Sequence, residues 1–354
     1  MPRIELPISK SIANRLLILQ AIHGDGLMTV SADLPEDVLI LHNALTALRT
    51  FKTSKTLPTP HINVGNCGTA MRFLTAYCAQ LEGQTTILDG VERMHHRPIG
   101  QLVDALRKIG ADIEYLGEEG FPPLRIKGCI LDKHRIVTIN NPQSTQFVSA
   151  LLLIGANVHT DSTSPYITLT REMIKQWGDA AEYTSPLIGG VGGGFIEKDW
   201  SSAAFWYEYV ALHGGEITLP GLCRNSLQGD KVVADIFATL GVQTYYTTDG
   251  VVISSSPLHH TPYTLHHDFV ACPDLYPAVA LTCERLGIQL HATGVESLPL
   301  KESDRLRAVA EHRTDADHRM AMALLIAGYE VDDTACISKS YPCFLDHLRQ
   351  LYEK

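Results

Sequence analysis

Lys10-Ser11-Ile12-Ala13-Asn14-Arg15 runs straight into the apolar segment LLILQAIHG (16–24), and this join decides the fold. The same join recurs five times. Gly65-Asn66-Cys67-Gly68-Thr69-Ala70-Met71-Arg72 precedes FLTAYCAQLEG, and Ser144-Thr145-Gln146 precedes FVSALLLIG. Asp199-Trp200-Ser201-Ser202 precedes AAFWYEYVALHGG, Pro273-Asp274 precedes LYPAVALTCERLG, and Asp317-His318-Arg319 precedes MAMALLIAG. A polar opening, an apolar body and a closing Gly are helix start and stop signals. A helix start presents unpaired N–H groups and about half a positive charge, and Lys or Arg there adds formal charge. Six such helices predict a cleft for small, multiply anionic ligands.

A second helix type alternates with the first: EDVLILHNALTALR (36–49), GQLVDALRKIGADI (100–113), TREMIKQWG (170–178), GDKVVADIFATLGV (229–242) and a fifth opening at Asp304. Each carries one apolar stripe at helical spacing. Short β-type stretches lie between: TTILDG, PLRIKG, IVTIN, YITLT, GEITLPG, TYYTTDGVVISS and IQLHATG. The pattern is an α/β unit repeated about six times. Helices apolar all round need sheet on several sides, so the expected build is two globules of three repeats, helices inside and sheets outside. The domains are expected over 10–198 and over 1–9 plus 199–354, with Gly189–Gly194 as a flexible loop. No Walker Lys-Ser/Thr follows those glycines, which argues against a phosphate loop.

A chain of 354 residues exceeds the usual size of a single core. A net charge of −10 argues against a nucleic-acid partner, which needs a basic face. No apolar run reaches the ~20 residues of a membrane span, and the N-terminus lacks a signal-peptide pattern. None of the eight cysteines forms C-x-x-C, so reduced thiols in a cytoplasmic protein are expected. His95-His96, His259-His260 and His266-His267 lack ligand spacing, and no metal is expected.

Lys10 and Arg15 sit on a helix too apolar to leave them solvated. Gly68 lets a ligand approach the backbone, with Asn66, Thr69 and Arg72 around it. Ser144, Thr145 and Gln146 stack hydrogen-bonding groups at one helix start, although a plain N-cap reads the same way. Pro98 suits a first helical turn and sets Arg97 at a loop mouth. Lys301-Glu302-Ser303-Asp304-Arg305 is the densest charge cluster, and Arg319 enters an apolar helix where it must find an anion.

Taken in order, KSIANR, GNCGTAMR, RMHHRPIGQLVDAL, STQF, NSLQGD, KESDRL and DHRMAM resemble the 5-enolpyruvylshikimate-3-phosphate synthases, within the enolpyruvyl transferases, from Pro7 to Tyr352. The resemblance implies a two-domain inverse α/β barrel with the active site in the interdomain cleft, residues 10–198 forming the shikimate-3-phosphate side. It implies metal-free, cofactor-free transfer of the enolpyruvyl group of phosphoenolpyruvate to the 5-hydroxyl of shikimate-3-phosphate. Carried over by position, Lys10, Ser11, Arg15, Thr69, Ser144, Thr145, Gln146, Thr163, Asp274 and Lys301 would hold shikimate-3-phosphate. Lys10, Gly68, Arg97, Gln146, Arg305, Arg319 and Lys339 would hold phosphoenolpyruvate, with Asn66, Arg72 and His318 in support. Glu302 would protonate the donor methylene, Asp274 would take the hydroxyl proton, and Lys10 would assist. A monomeric, glyphosate-targeted, cytoplasmic enzyme is expected. The related UDP-N-acetylglucosamine enolpyruvyl transferases share fold and donor but use a loop Cys where this chain has RMHHR. A non-catalytic anion-binding relative is the third reading. The chain is also some tens of residues shorter than typical members, with reductions between Ala47 and Val64, Trp177 and Phe195, and Arg307 and Asp317.

Overall fold

The computed structural model describes residues 2–24, 26–31, 34–53, 59–178, 196–257 and 264–352. The glycine-rich stretch 189–194 and the pair His259-His260 lie outside these residues. The chain forms two compact units. The first comprises Ser11–Val30 and Asp37–Tyr183; the second comprises Met1–Lys10, Ser31–Glu36 and Thr184–Lys354. Lys10, 31–36 and 196–198 therefore fall in the second unit, where the sequence reading put them in the first. Backbone pairing supplies the reason at 9 and 197: the Ser9 N–H donates to the Glu197 carbonyl at 2.9 Å. Glu197 is itself buried, accepting from Trp200 Nε1, the Cys223 N–H and Ser226 Oγ.

In the first unit a four-stranded mixed sheet has the order His61–Asn63, Thr85–Asp89, Leu124–Lys127, Asp112–Tyr115. The first pair is parallel and the other two are antiparallel. Helices Gly68–Ala79 and Thr145–Leu153 pack on one another. Every residue from Ala70 to Ala79 is buried, as is every residue from Ile12 to Leu19 on helix Lys10–His23. Such all-round burial is what the lack of an amphipathic stripe demands.

In the second unit, strands Glu216–Pro220, Gly250–Ser255 and Val242–Tyr246 form an antiparallel sheet in that order. Thr264–Asp268 pairs in parallel with Gln289–Thr293. Helices Trp200–His213, Tyr276–Leu286 and His318–Ile326 run through the core, where Trp200, Trp206 and, from helix Val233–Thr239, Phe237 are fully buried. Ile4 and Leu6 join that core, and the Ile4 N–H donates to the Thr218 carbonyl at 3.0 Å. Burying each side chain of this kind contributes roughly 1.5–3 kcal/mol. Gly287, at φ +69°, takes the left-handed turn that ends helix Tyr276–Leu286.

Some expected elements differ. YITLT is not a strand but lies in helix Pro165–Gly178, where Pro165 starts the first turn. The helix read as 100–113 stops at Lys108; Gly110 at φ +102° breaks it, and Asp112 begins a strand. The segment 229–242 is a 3-10 turn plus helix Val233–Thr239, with Val242 already in a strand. Between Arg307 and Asp317 helix Arg305–Glu311 gives way to a tight turn with His312, Asp315 and Ala316 at positive φ. Among the described residues none of the eight cysteines forms a disulfide; Cys67, Cys78, Cys272 and Cys283 are buried. Among the described residues no helix is long and apolar enough to cross a membrane.

Candidate active site

Each unit carries one cluster built at its helix starts. In the first unit, Cys67 caps helix Gly68–Ala79 by accepting the Ala70 N–H, which brings Gly68 into the first turn. A Cβ placed on Gly68 would stand 2.4 Å from Arg72 Nη1 and 2.6 Å from Arg97 Nη2. Two buried guanidinium groups thus converge over the bare face of one glycine. Each is anchored by a carbonyl: Arg72 Nη2 donates to Pro98 O at 3.1 Å, and Arg97 Nη1 donates to Asn66 O at 3.0 Å. Thr69 sits one residue on, with Gln146 Nε2 donating to its Oγ1 at 2.9 Å. Ser144 is the N-cap of helix Thr145–Leu153, accepting the Gln146 N–H. Thr145 fills the first turn.

Arg15 is buried in the same unit. Its Nε donates to Thr170 Oγ1 at 2.7 Å, Nη1 to the Ser11 carbonyl, and Nη2 to Ser149 Oγ and the Tyr166 carbonyl. Burial pulls its pKa down to about 10, which still leaves it charged at neutral pH. Thr163 is exposed just ahead of helix Pro165–Gly178. Ser149 and Thr170 were not singled out in the sequence; one lies inside an apolar helix and the other where YITLT meets TREMIKQWG, and both read as ordinary packing hydroxyls.

The second unit gathers the other cations around carboxylates. Arg305, only 1% exposed, donates to Asp317 at 2.8 Å, to Asp274 at 2.7 Å and to Glu302 at 3.0 Å. Arg319 donates from Nη2 to Asp274 at 2.9 Å, and its N–H is capped by Asp317. Lys301 lies 3.4 Å from Asp274, and Lys339 lies 3.2 Å from Glu302. The charge of Lys10 acts on buried Asp199 and His318. The partner that Arg319 was expected to need is thus present within the protein as Asp274.

These contacts bear on proton transfer. Burial alone would raise the Asp274 pKa, but Arg319, then Lys301 and Arg305, hold it well below the ordinary carboxylate range. While these cations hold it, Asp274 is a weak base. Both Glu302 oxygens accept from cations, Oε2 from Arg305 and Oε1 from Lys339. Asp230, also not singled out in the sequence, is pushed up to about 7 by burial and by neighbouring Asp274. It accepts from Ser201 Oγ, while its buried Oδ1 has no hydrogen-bond partner among the described residues. His318 is 1% exposed, and among the described residues neither ring nitrogen has a hydrogen-bond partner. Burial, then Lys10 and Arg319, drive its pKa well down, so it is neutral.

Both clusters are rich in cations, those of the second unit paired with Asp274, Glu302 and Asp317. The family model described as EPSP synthase (3-phosphoshikimate 1-carboxyvinyltransferase) matches residues 2–313 and 309–348, and the chain belongs to this family. A Bacteroides fragilis protein named 3-phosphoshikimate 1-carboxyvinyltransferase is 36% identical, over 98% of this chain and 94% of its own length. A Cellvibrio japonicus protein of the same name is 32% identical over 98% and 96%. The first alignment spans 408 positions against 354 residues here, so at least 54 positions (408 minus 354) face internal gaps in this chain. An EPSP synthase structure from Acinetobacter baumannii shares the fold, with a TM-score of 0.67 at 20% identity over 98% of this chain and 95% of that one.

Proposed function

We propose that this chain transfers the enolpyruvyl group of phosphoenolpyruvate to the 5-hydroxyl of shikimate-3-phosphate and releases phosphate. Its family membership over residues 2–348 carries the reading. We further propose that its repeats build an inverse α/β barrel, apolar helices inside and sheets outside. The reaction is addition and elimination without metal or cofactor. A proton adds to the donor methylene and makes C2 electrophilic; the acceptor oxygen bonds to C2 as its own proton departs. The methyl group then returns a proton, the C2–O bond to phosphate breaks, and an enol ether and phosphate remain.

In this proposal Arg72 and Arg97 converge over Gly68 to take a donor anion, with Arg305, Arg319 and Lys339 as further cations. Arg15, Ser11, Thr69, Ser144, Thr145, Gln146 and Thr163 serve the acceptor, with Lys301. The ion pairs of Asp274 supply a trigger. Donor phosphate and carboxylate compete for Arg319 and Arg305, and each cation drawn away raises the proton affinity of Asp274. The base is thereby activated when the substrate charges arrive. Glu302, partnered by Lys339 and Arg305, undergoes the same exchange and carries the methylene proton; Lys10 supports the departing phosphate. Groups placed in this way contribute about 10²–10⁴-fold each. Proton NMR of the two substrates mixed with the protein tests the reading. New vinyl signals on an ether at C5 support it; unchanged spectra under conditions where both ligands bind would refute it.

A further inference from the structure

In the first unit a compact knot of ionisable side chains touches the loop that carries Arg97. Strands His61–Asn63 and Thr85–Asp89 are parallel, with Asn63 opposite Asp89. Each runs out into one half of the guanidinium cradle. The first turns through Val64–Cys67 to Gly68; the second passes Gly90 and helix Glu92–His95 to reach Arg97. Asp89 is the last residue of its strand. Its Oδ1 accepts the Gly90 N–H at 2.7 Å and lies 2.8 Å from His95 Nε2; its Oδ2 lies 3.3 Å from His61 Nε2. One carboxylate therefore grips the loop ahead of helix Glu92–His95, grips that helix at its last residue, and ties both to the neighbouring strand.

The backbone around it is stitched to the Gly68 turn. The Val64 N–H donates to the Asp89 carbonyl at 2.9 Å, and the Val91 N–H to the Gly65 carbonyl at 3.1 Å. A Cβ on Gly90 would stand 2.6 Å from that same Gly65 oxygen, so the two loops are in direct contact. Arg97 follows His95 by two residues and reaches Asn66 O across this contact. The side chains of Asp89, His95 and His61 are 22%, 30% and 59% exposed. Ion pairs this exposed contribute only about 0–1 kcal/mol to stability. Their consequence is geometric: they fix where the loop puts a guanidinium.

We propose that Asp89, acting through His95 and the Gly90 N–H, is a positioning residue for Arg97 and hence for donor binding. This rests on the reading of Arg97 as a donor ligand. The test is steady-state kinetics with each substrate varied in turn. Asp89→Ala raises the donor KM about 5- to 20-fold, with kcat and the acceptor KM within about twofold. Asp89→Asn keeps an oxygen for the Gly90 N–H and for His95, and restores most of the donor KM. His95→Ala, at a partly exposed side chain, repeats the Asp89→Ala pattern even if that variant folds poorly. Asp89→Ala adds nothing to Arg97→Ala, because the effect runs through Arg97. If Arg97→Ala raises the donor KM while Asp89→Ala and His95→Ala do not, the positioning role falls and the Arg97 reading stands. If Arg97→Ala leaves the donor KM unchanged, both fall. Equal losses in kcat and both KM values also overturn the proposal, since they report general damage.

Discussion

Gly68→Ala is the most informative single change. The added Cβ would meet Arg72 Nη1 at 2.4 Å and Arg97 Nη2 at 2.6 Å. Ordinary contact begins near 3.5 Å, so both guanidinium groups must retreat by roughly 1 Å. They are ends of flexible side chains, so the fold tolerates the change, and the melting temperature should move little. The loss falls instead on anion geometry. Arg72 retreats against its bond to Pro98 O and Arg97 against its bond to Asn66 O. A displacement of about 1 Å at a substrate-positioning group can cost 10²-fold, and a hydrogen bond to a charged group is worth about 1.5–3 kcal/mol. The donor KM should therefore rise about 10- to 100-fold, with the acceptor KM within about twofold. The assay is donor saturation at saturating acceptor, paired with inhibition curves for glyphosate, the donor-competitive inhibitor known for the family. Glyphosate should weaken at least as much as the donor. A donor KM within twofold of the parent in a folded variant would refute the placement of a donor anion over Gly68.

Other predictions address the second unit. Arg319→Ala removes a buried guanidinium paired with Asp274, and should weaken phosphoenolpyruvate binding by roughly 2–5 kcal/mol in calorimetry, with shikimate-3-phosphate alone far less affected; equal losses for both would mark Arg319 as structural. Glu208 is fully buried on helix Trp200–His213, neither carboxyl oxygen has a hydrogen-bond partner among the described residues, and burial raises its pKa well above 4.5. The folded protein holds a proton that the unfolded chain has released above that pH, so this site makes stability fall as pH rises, by about 1.4 kcal/mol per unit until the folded pKa is reached. Glu208→Leu should abolish that slope, and its stability advantage in urea unfolding should grow between pH 5 and pH 7; a pH-independent difference would contradict it.

The helix starts were legible because a polar, often cationic run abutting a long apolar run has few alternatives. Gly68 and Arg72 were legible as a bare backbone and an arginine one turn into an apolar helix, and Arg97 through Pro98 beside it. YITLT misled because its β-branched residues suggest a strand; the Pro165 start and burial of Ile167, Leu169 and Thr170 outweigh that weak preference. Partnerships were less legible still. Asp274 meets Lys301, Arg305 and Arg319, which lie 27, 31 and 45 residues away, and Arg15 meets Thr170 across 155. No local pattern encodes those distances, so the sequence identified the cations but not the carboxylates restraining them. Asp230 escaped notice because an Asp after Gly at a helix opening looks like a simple cap.

Phosphate release tests the central claim most directly. Phosphoenolpyruvate at fixed concentration is incubated with the protein alone, with shikimate-3-phosphate, and with UDP-N-acetylglucosamine, each with and without EDTA. Release should occur only with shikimate-3-phosphate, one phosphate per enol ether formed, at a rate EDTA leaves unchanged. Release with UDP-N-acetylglucosamine instead, or binding of both shikimate-3-phosphate and phosphoenolpyruvate without any release, would contradict it.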